Sequence, residues 1–375
     1  MNFFPQIGFD PLGIIFLAFC FAVLVQLVYV LKFHLRLLIH KEPKKTPVSR
    51  PVSVIICARN EEDNLFRNLP KVLKQDYPEF EVIIVIDQTV DDSRHIIRAY
   101  QKEYPHLRCI EMERNKHRKF GKKLPLTVGI KGAKYNHVLL TDADCFPSSD
   151  QWIRLMMQNY TDDIEIVLGY GPYERKKGLL NKFIRFDTTT IAATYLSFAK
   201  NNMPYMAVGR NLSYSRKVWF EAEGFKNHYQ FQSGDDDLFM QDAARRKNVA
   251  FSIDKKSWVY SHPKTDWKDW VQQKQRHFTT ASGYRFINKV FLGIFPGSMI
   301  LMFVCFFILL FSYEWWLFVL SLLALRVVLY WLISGLLFKK LGQKDLVWAF
   351  PLFEIVHFII VPFIYYSTDR RPDKW

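Results

Sequence analysis

Residues 11–31 carry no charged side chain. A helix of about 20 such residues crosses a hydrocarbon core of roughly 30 Å, and a helix satisfies its own backbone groups there without water. Asp10 is the one charge before this run and a basic cluster follows it, the reverse of a secretory leader. The run therefore reads as an anchor, with its N-terminus outside and the stretch from Lys32 facing the cytosol. Three further apolar blocks close the chain, at about 290–311, 315–338 and 346–366. The first two predict a helical hairpin around Ser312, Tyr313 and Glu314, and Lys339, Lys340 and Lys344 mark a cytosolic loop before the third. A spanning third block places Arg370, Arg371 and Lys374 outside, and Pro351, Glu354, His357 and Pro362 interrupt it. It reads as kinked, re-entrant or incomplete, which leaves the side of the C-terminus open.

Between these blocks the chain changes character. Half of all residues are hydrophobic, yet 23% are charged, and the two kinds fall in different segments. From 51 to 285 no apolar run is long enough to span. Strand-like stretches at 52–57 and 82–86 alternate with helical patterns such as 64–74, the rhythm of an α/β domain with a mostly parallel sheet. The predicted organisation is an anchor and basic linker at 1–49, an α/β domain at 50–285, and a membrane region at 286–375. Residues 41–51, with their prolines and charges, form the linker. Cys20, Cys57, Cys109, Cys145 and Cys305 show no paired spacing, so neither a disulfide framework nor a zinc site is expected. They read as small hydrophobes in a reducing compartment.

Chemistry concentrates where strands stop. One strand ends at Ala58-Arg59-Asn60-Glu61 and another delivers Asp87 at its C-terminal edge, the edge at which open α/β sheets bind ligands. A third apolar strand leads into Asp142-Ala-Asp144, whose carboxylates are placed to share a hard divalent cation with a diphosphate; a solvated turn is the plain alternative. The run Asp235-Asp236-Asp237 fits a helix N-terminus as well as a catalytic role. Gln273 and Arg276 lie one helical turn apart after Trp267 and Trp270, on a helix that also reads as an amphipathic surface element.

Taken in order, these segments resemble the family 2 glycosyltransferases of GT-A fold. The matching places are Asn60-Glu61, Ile86-Asp87, Lys122 through Gly129, Asp142-Ala-Asp144, Gly209-Arg210-Asn211, Ser233 through Leu238, and Gln273 through His277. Thr127 for Asn, Gly234 for Glu and His277 for Trp depart from the family pattern. The resemblance implies that Ala58, Arg59, Glu61, Asp87, Lys122 and Asp142 hold a nucleotide-sugar donor. It further implies that Asp142 and Asp144 hold Mg2+ or Mn2+, and that Asp235, or the adjacent Asp236, is the general base of an inverting transfer. Asn211, Gln273, Arg276 and His277 are then expected to meet the acceptor or the diphosphate.

The basic runs at 32–50 and 108–123, within a net charge of +15, suit anionic headgroups beside membrane helices. No recognition motif accompanies them, so a nucleic-acid partner is not expected. The competing class is a non-enzymatic membrane protein with a nucleotide-sugar-binding domain. Within the enzyme reading, a lipid or lipid-linked acceptor at the cytosolic face of a plasma or inner membrane stands against a glycan acceptor extended by a processive polysaccharide synthase. Four helices make a small channel at best, which favours the lipid.

Overall fold

The computed structural model describes residues 10–42, 49–113, 121–312, 314 and 316–368. Tyr313, Arg370, Arg371, Lys374 and most of the expected linker therefore lie outside the described residues. In chain order the main elements are α1 (Pro11–Leu38), β1 (Val52–Ala58), α2 (Glu62–Leu73), β2 (Phe80–Asp87), α3 (Ser93–Glu103), β3 (Leu107–Met112), α4 (Lys123–Gly132), β4 (His137–Asp142), β5 (Cys145–Pro147), α5 (Trp152–Met157), β6 (Ile166–Leu168), α6 (Leu179–Lys200), β7 (Leu212–Ser215), α7 (Arg216–Glu221), α8 (Asp237–Ala243), β8 (Val249–Phe251), β9 (Val259–Ser261), α9 (Trp267–Phe278), α10 (Phe286–Ser312), α11 (Trp316–Lys340) and α12 (Phe350–Tyr366). The chain divides into two compact units, Met1–His40 with Arg285–Val361 and Lys41–Tyr284 with Pro362–Trp375.

The second unit is built on a seven-stranded sheet of order β3-β2-β1-β4-β7-β6-β8. β1, β2, β3 and β4 are mutually parallel, as are β6 and β8, while β7 runs antiparallel to both its neighbours. β1, β2 and β4 are near-continuous Val, Ile and Leu runs because helices cover both faces of a parallel sheet, leaving no solvent face for polar residues. Register, more than composition, decides where the polar strand ends meet. Ala58 pairs with Ile86, and Cys57 pairs with Asp142, so the polar residues that end the three strands emerge at one edge. Gly129 lets α4 lie on this sheet: a Cβ there would stand 2.7 Å from Ile55 Cγ2 and 3.1 Å from Val85 Cγ2. The last turn of α12 packs in the same unit, where the rings of Phe278 and Tyr365 meet edge-on at 5.6 Å.

The first unit is helical. Pro11–Leu38, Phe286–Phe311 and Trp316–Lys340 are long and apolar enough to cross a membrane, whereas Phe350–Tyr366, with Pro362 inside it, is shorter than that. Phe16, Phe19 and Val23 of α1 pack among Met299, Met302 and Leu309 of α10 and Val319 of α11. Beside this apolar cluster lies a buried polar network. The Arg326 guanidinium donates to Gln26 Oε1 at 2.6 Å and to Glu354 Oε1 at 2.7 Å, and Gln26 Nε2 donates to Phe295 O at 2.8 Å and Ser298 Oγ at 2.7 Å. One charge pair and one amide thus join α1, α10, α11 and α12. Lys340 Nζ donates to the backbone carbonyls of Leu37, Leu38 and His40, the groups a helix C-terminus leaves unpaired.

Removing one partner of a buried ion pair leaves the other charge without compensation, which costs about 3–5 kcal/mol. Arg326→Leu is therefore expected to lower the melting temperature of the detergent-solubilised protein sharply. Arg326→Leu with Glu354→Leu recovers most of the loss, as read by thermal unfolding of the two variants side by side.

Candidate active site

Ala58 is 2% exposed, so its methyl belongs to the core and its backbone is what it offers the edge. Beyond it the chain turns sharply. Asn60 takes φ +54° and, after β2, Gln88 takes φ +52°, a left-handed conformation that Asn tolerates better than most residues. The two turns are tied together: Asn60 N donates to Thr89 Oγ1 at 3.2 Å, Val90 N to Asn60 Oδ1 at 2.9 Å, Glu61 N to Ser93 Oγ at 3.2 Å and Glu62 N to Asp91 Oδ2 at 3.0 Å. Arg59 is exposed and Asp87 is buried at the end of β2. Burial holds the Glu61 carboxyl above the usual range, with Asp144, Asp142 and Asp91 adding to the effect and a hydrogen bond from Asn64 opposing it.

Lys122, just before α4, is the centre of the edge. Its ammonium is bonded to Asp142 Oδ1 and stands 3.6 Å from Asp235 Oδ2. Burial opposes the charge on Lys122, but Asp142 and Asp235 outweigh it and hold the pKa well above the usual lysine value. Burial likewise opposes ionisation of Asp142, and Lys122, with Arg210 and Arg276 further out, outweighs it and keeps that carboxyl below the usual range. Asp142, Asp144 and Cys145 bring one ligand atom each within 4.8 Å of one another. The Cys145 thiol is pushed well up by burial and bonds to Ser261 Oγ at 3.3 Å, so the two carboxylates are the charged donors there.

Asp235 and Asp236 occupy different positions. Asp236 accepts from Gly209 N at 2.8 Å and from Asp237 N at 2.7 Å, capping α8 and fastening the Gly209–Asn211 turn to it. Asp237 accepts from Thr280 Oγ1 at 2.5 Å and Tyr284 OH at 2.9 Å, which ties the segment to the turn after α9. Gly234 stands where the family pattern has Glu because φ is +94° and a Cβ would lie 2.6 Å from Leu238 Cδ1.

The role expected of Asn211 needs correction. The residue is fully buried, its Nδ2 donates to Tyr170 O and Ser257 O at 2.9 Å each, and its Oδ1 accepts from Trp152 Nε1 at 3.0 Å. Its amide is a strut under the turn, not a group open to a substrate. Its neighbour Arg210, which the motif contains and sequence reasoning passed over, donates to Gly171 O at 2.6 Å, lies over the Tyr173 ring and adds positive charge near Asp142. On α9, Gln273 is half-buried while Arg276 and His277 are exposed. Lys274, between them, is buried against Asp187 at 2.9 Å, so α9 is pinned to α6.

Comparisons with known proteins identify the family. The Glycosyl transferase family 2 model matches residues 53–219, and the Glycosyl transferase family group 2 model matches residues 137–365. Poly-beta-1,6-N-acetyl-D-glucosamine synthase of Staphylococcus epidermidis is 30% identical over 142 residues, 37% of this chain and 33% of its own length. An uncharacterized glycosyltransferase of Bacillus subtilis is 25% identical over 185 residues, 48% of this chain and 54% of its own. The chain thus spans about a third to a half of the length of these curated relatives. The solved mannosyltransferase PcManGT of Pyrobaculum calidifontis, in complex with GDP-Man and Mn2+, shares the fold at a TM-score of 0.55 and 17% identity, over 93% of this chain and 98% of that one. With a family model covering more than half of its residues, the chain belongs to the family 2 glycosyltransferases, and it shares the fold of a solved member of that class.

Proposed function

We propose that the enzyme transfers a sugar from a nucleotide-sugar donor, with inversion at the anomeric carbon, to a lipid or lipid-linked acceptor at the cytosolic face of a plasma or inner membrane. The observation that carries this reading is Lys122 standing between Asp142 and Asp235, which brings the carboxylate expected at the donor diphosphate and the candidate base into one charge cluster. The backbone of Ala58 with Arg59, Glu61 and Asp87 forms the wall for the nucleotide. Asp142 and Asp144 suit a hard cation, Mg2+ or Mn2+, since Cys145 stays a protonated thiol beside them. When bound, that ion neutralises charge on the departing nucleoside diphosphate.

Asp235 takes the proton of the acceptor hydroxyl as that oxygen attacks the anomeric carbon and the carbon–phosphate-oxygen bond breaks. Asp236 is committed elsewhere by its two backbone hydrogen bonds, which favours Asp235 as the base. Lys122 stays cationic and offsets the charge of the phosphates, with Arg276 and Arg210 as further positive charge near Asp142. Gln273 and His277, beside Arg276, meet the acceptor in this reading. A single displacement inverts the configuration.

Reconstituted protein incubated with a panel of radiolabelled nucleotide sugars is expected to yield lipid-extractable product of inverted configuration, read by chromatography and NMR. Chelation is expected to abolish transfer and Mg2+ or Mn2+ to restore it. Asp235→Asn is expected to lower kcat by about 10²–10⁴-fold with donor binding retained. Retained configuration, or turnover unaffected by chelator, overturns the proposal; a long polymer formed without lipid replaces the lipid acceptor with the synthase reading.

Asp236 also predicts a pH dependence. Burial first, then Asp235 and Asp237, push its carboxyl up to about 7 from an unfolded value near 3.8. Between these values the unfolded chain has released the proton and the folded one holds it, so stability falls as pH rises from about 4 to about 7. Asp236→Asn is expected to flatten that decline, seen as a smaller drop in melting temperature between pH 5 and pH 8 (on the order of a few degrees) than in the parent protein.

A further inference from the structure

In the unit that carries the active site, a second surface is left unused by the chemistry. Residues 175–179 form an exposed turn leading into α6, and Gly178 at its tip has φ +106° with open space where a Cβ would stand. The turn lies against the segment preceding α9: Glu174 N donates to Ser261 O at 3.0 Å, and Glu174 Oε2 is 2.6 Å from His262 Nδ1. Leu179, the first residue of α6, is 65% exposed. Phe183, one turn further on the same face, meets the rings of Trp267 and Trp270 at 5.8 and 5.4 Å. Trp267 is itself 42% exposed and is held edge-on to Trp270 at 5.8 Å. Leu179 and the fixed indole of Trp267 thus flank Phe183, both exposed. Around them Lys176, Lys177, Lys182, Lys264 and Lys268 are all exposed, against Asp269; the other acids nearby are engaged, Glu174 with His262 and Asp266 with the N-terminus of α9.

We infer that this surface docks on the anionic leaflet of the membrane that the apolar helices cross, with Leu179 and Trp267 entering the headgroup layer and the five lysines meeting lipid phosphates. The inference rests on the assignment of those helices as membrane spans. Exposed aliphatic and indole groups ringed by lysine are the composition of an interfacial anchor, since Trp favours the headgroup level and each nearby lysine adds attraction to anionic lipid. Arg245, Arg246 and Lys247, or Lys255 and Lys256, have by contrast no large exposed apolar side chain next to them in the chain. A sugar-binding platform is the other use of an exposed Trp, but it calls for acids and amides around the ring, and here lysines surround it. Chain positions 279–285 alone separate α9 from the start of α10, so the surface is tethered close in sequence to a membrane helix.

The test places a photo-crosslinking phenylalanine analogue at Leu179, Trp267, Phe220 or Ile14 of the full chain, reconstituted in nanodiscs of phosphatidylcholine with or without phosphatidylglycerol. Lipid adducts are then counted by mass spectrometry. Adducts are expected at 179 and 267 with the anionic lipid. They are expected to fall about tenfold in its absence, in high salt, or in Lys176→Glu/Lys177→Glu/Lys182→Glu, a variant that keeps nucleotide binding. Phe220, exposed in the same unit, is expected to give none, and Ile14, exposed on α1, to give adducts in both lipids. Adducts at Ile14 but none at 179 or 267 overturn the inference alone, as do adducts at 179 and 267 indifferent to lipid charge or crosslinks to an added glycan there. Absence of adducts at Ile14 overturns the membrane reading itself.

Discussion

One half-buried ammonium organises the catalytic unit. Lys122 sits between Asp142, which ends the central strand β4, and Asp235, which precedes the cap of α8. It draws two carboxylates from segments nearly a hundred residues apart onto one cation, and a phosphate group entering the edge competes for that same cation. The parallel sheet exists, in this sense, to deliver strand ends in register to that lysine.

The segments around the site are braced independently of any ligand. Asp236 and Asp237 spend their oxygens on the backbone of Gly209 and of α8, and on Thr280 and Tyr284, so Asp235 stands between fixed neighbours. The Lys274–Asp187 pair fixes the rotation of α9, which in turn sets where Gln273 and Arg276 are presented. Such buried pairs cost desolvation and contribute geometry; they belong where a transition state needs charges held still.

Much of this was legible in the sequence because the physics is local. A run of Val and Ile that stops at a polar residue marks a buried strand end, and Ala58, Asp87 and Asp142 were found that way. Apolar runs of helical length marked the three helices long enough to cross a membrane, and the prolines of the last block went with a helix shorter than the others. What sequence could not show depends on distant partners. Asn211 reads the same whether its amide meets a substrate or props up Trp152. Arg210 carries no local sign that its charge reaches Asp142. The four residues of β7 alternate too briefly to announce an antiparallel strand, and nothing near Gln26 foretells Arg326, three hundred positions later.

The stitched turns after β1 and β2 have a consequence for how such an enzyme diversifies. Asn60, Thr89, Asp91 and Ser93 lace the two loops into one lip, with the left-handed Asn60 held by the opposite loop. A substitution that reshapes one loop drags the other with it. Under the donor-binding role proposed for these loops, exchange of one nucleobase for another is a paired inheritance: the two loops change together, as a single cassette, and isolated swaps at either place forfeit the grip before a new preference arises.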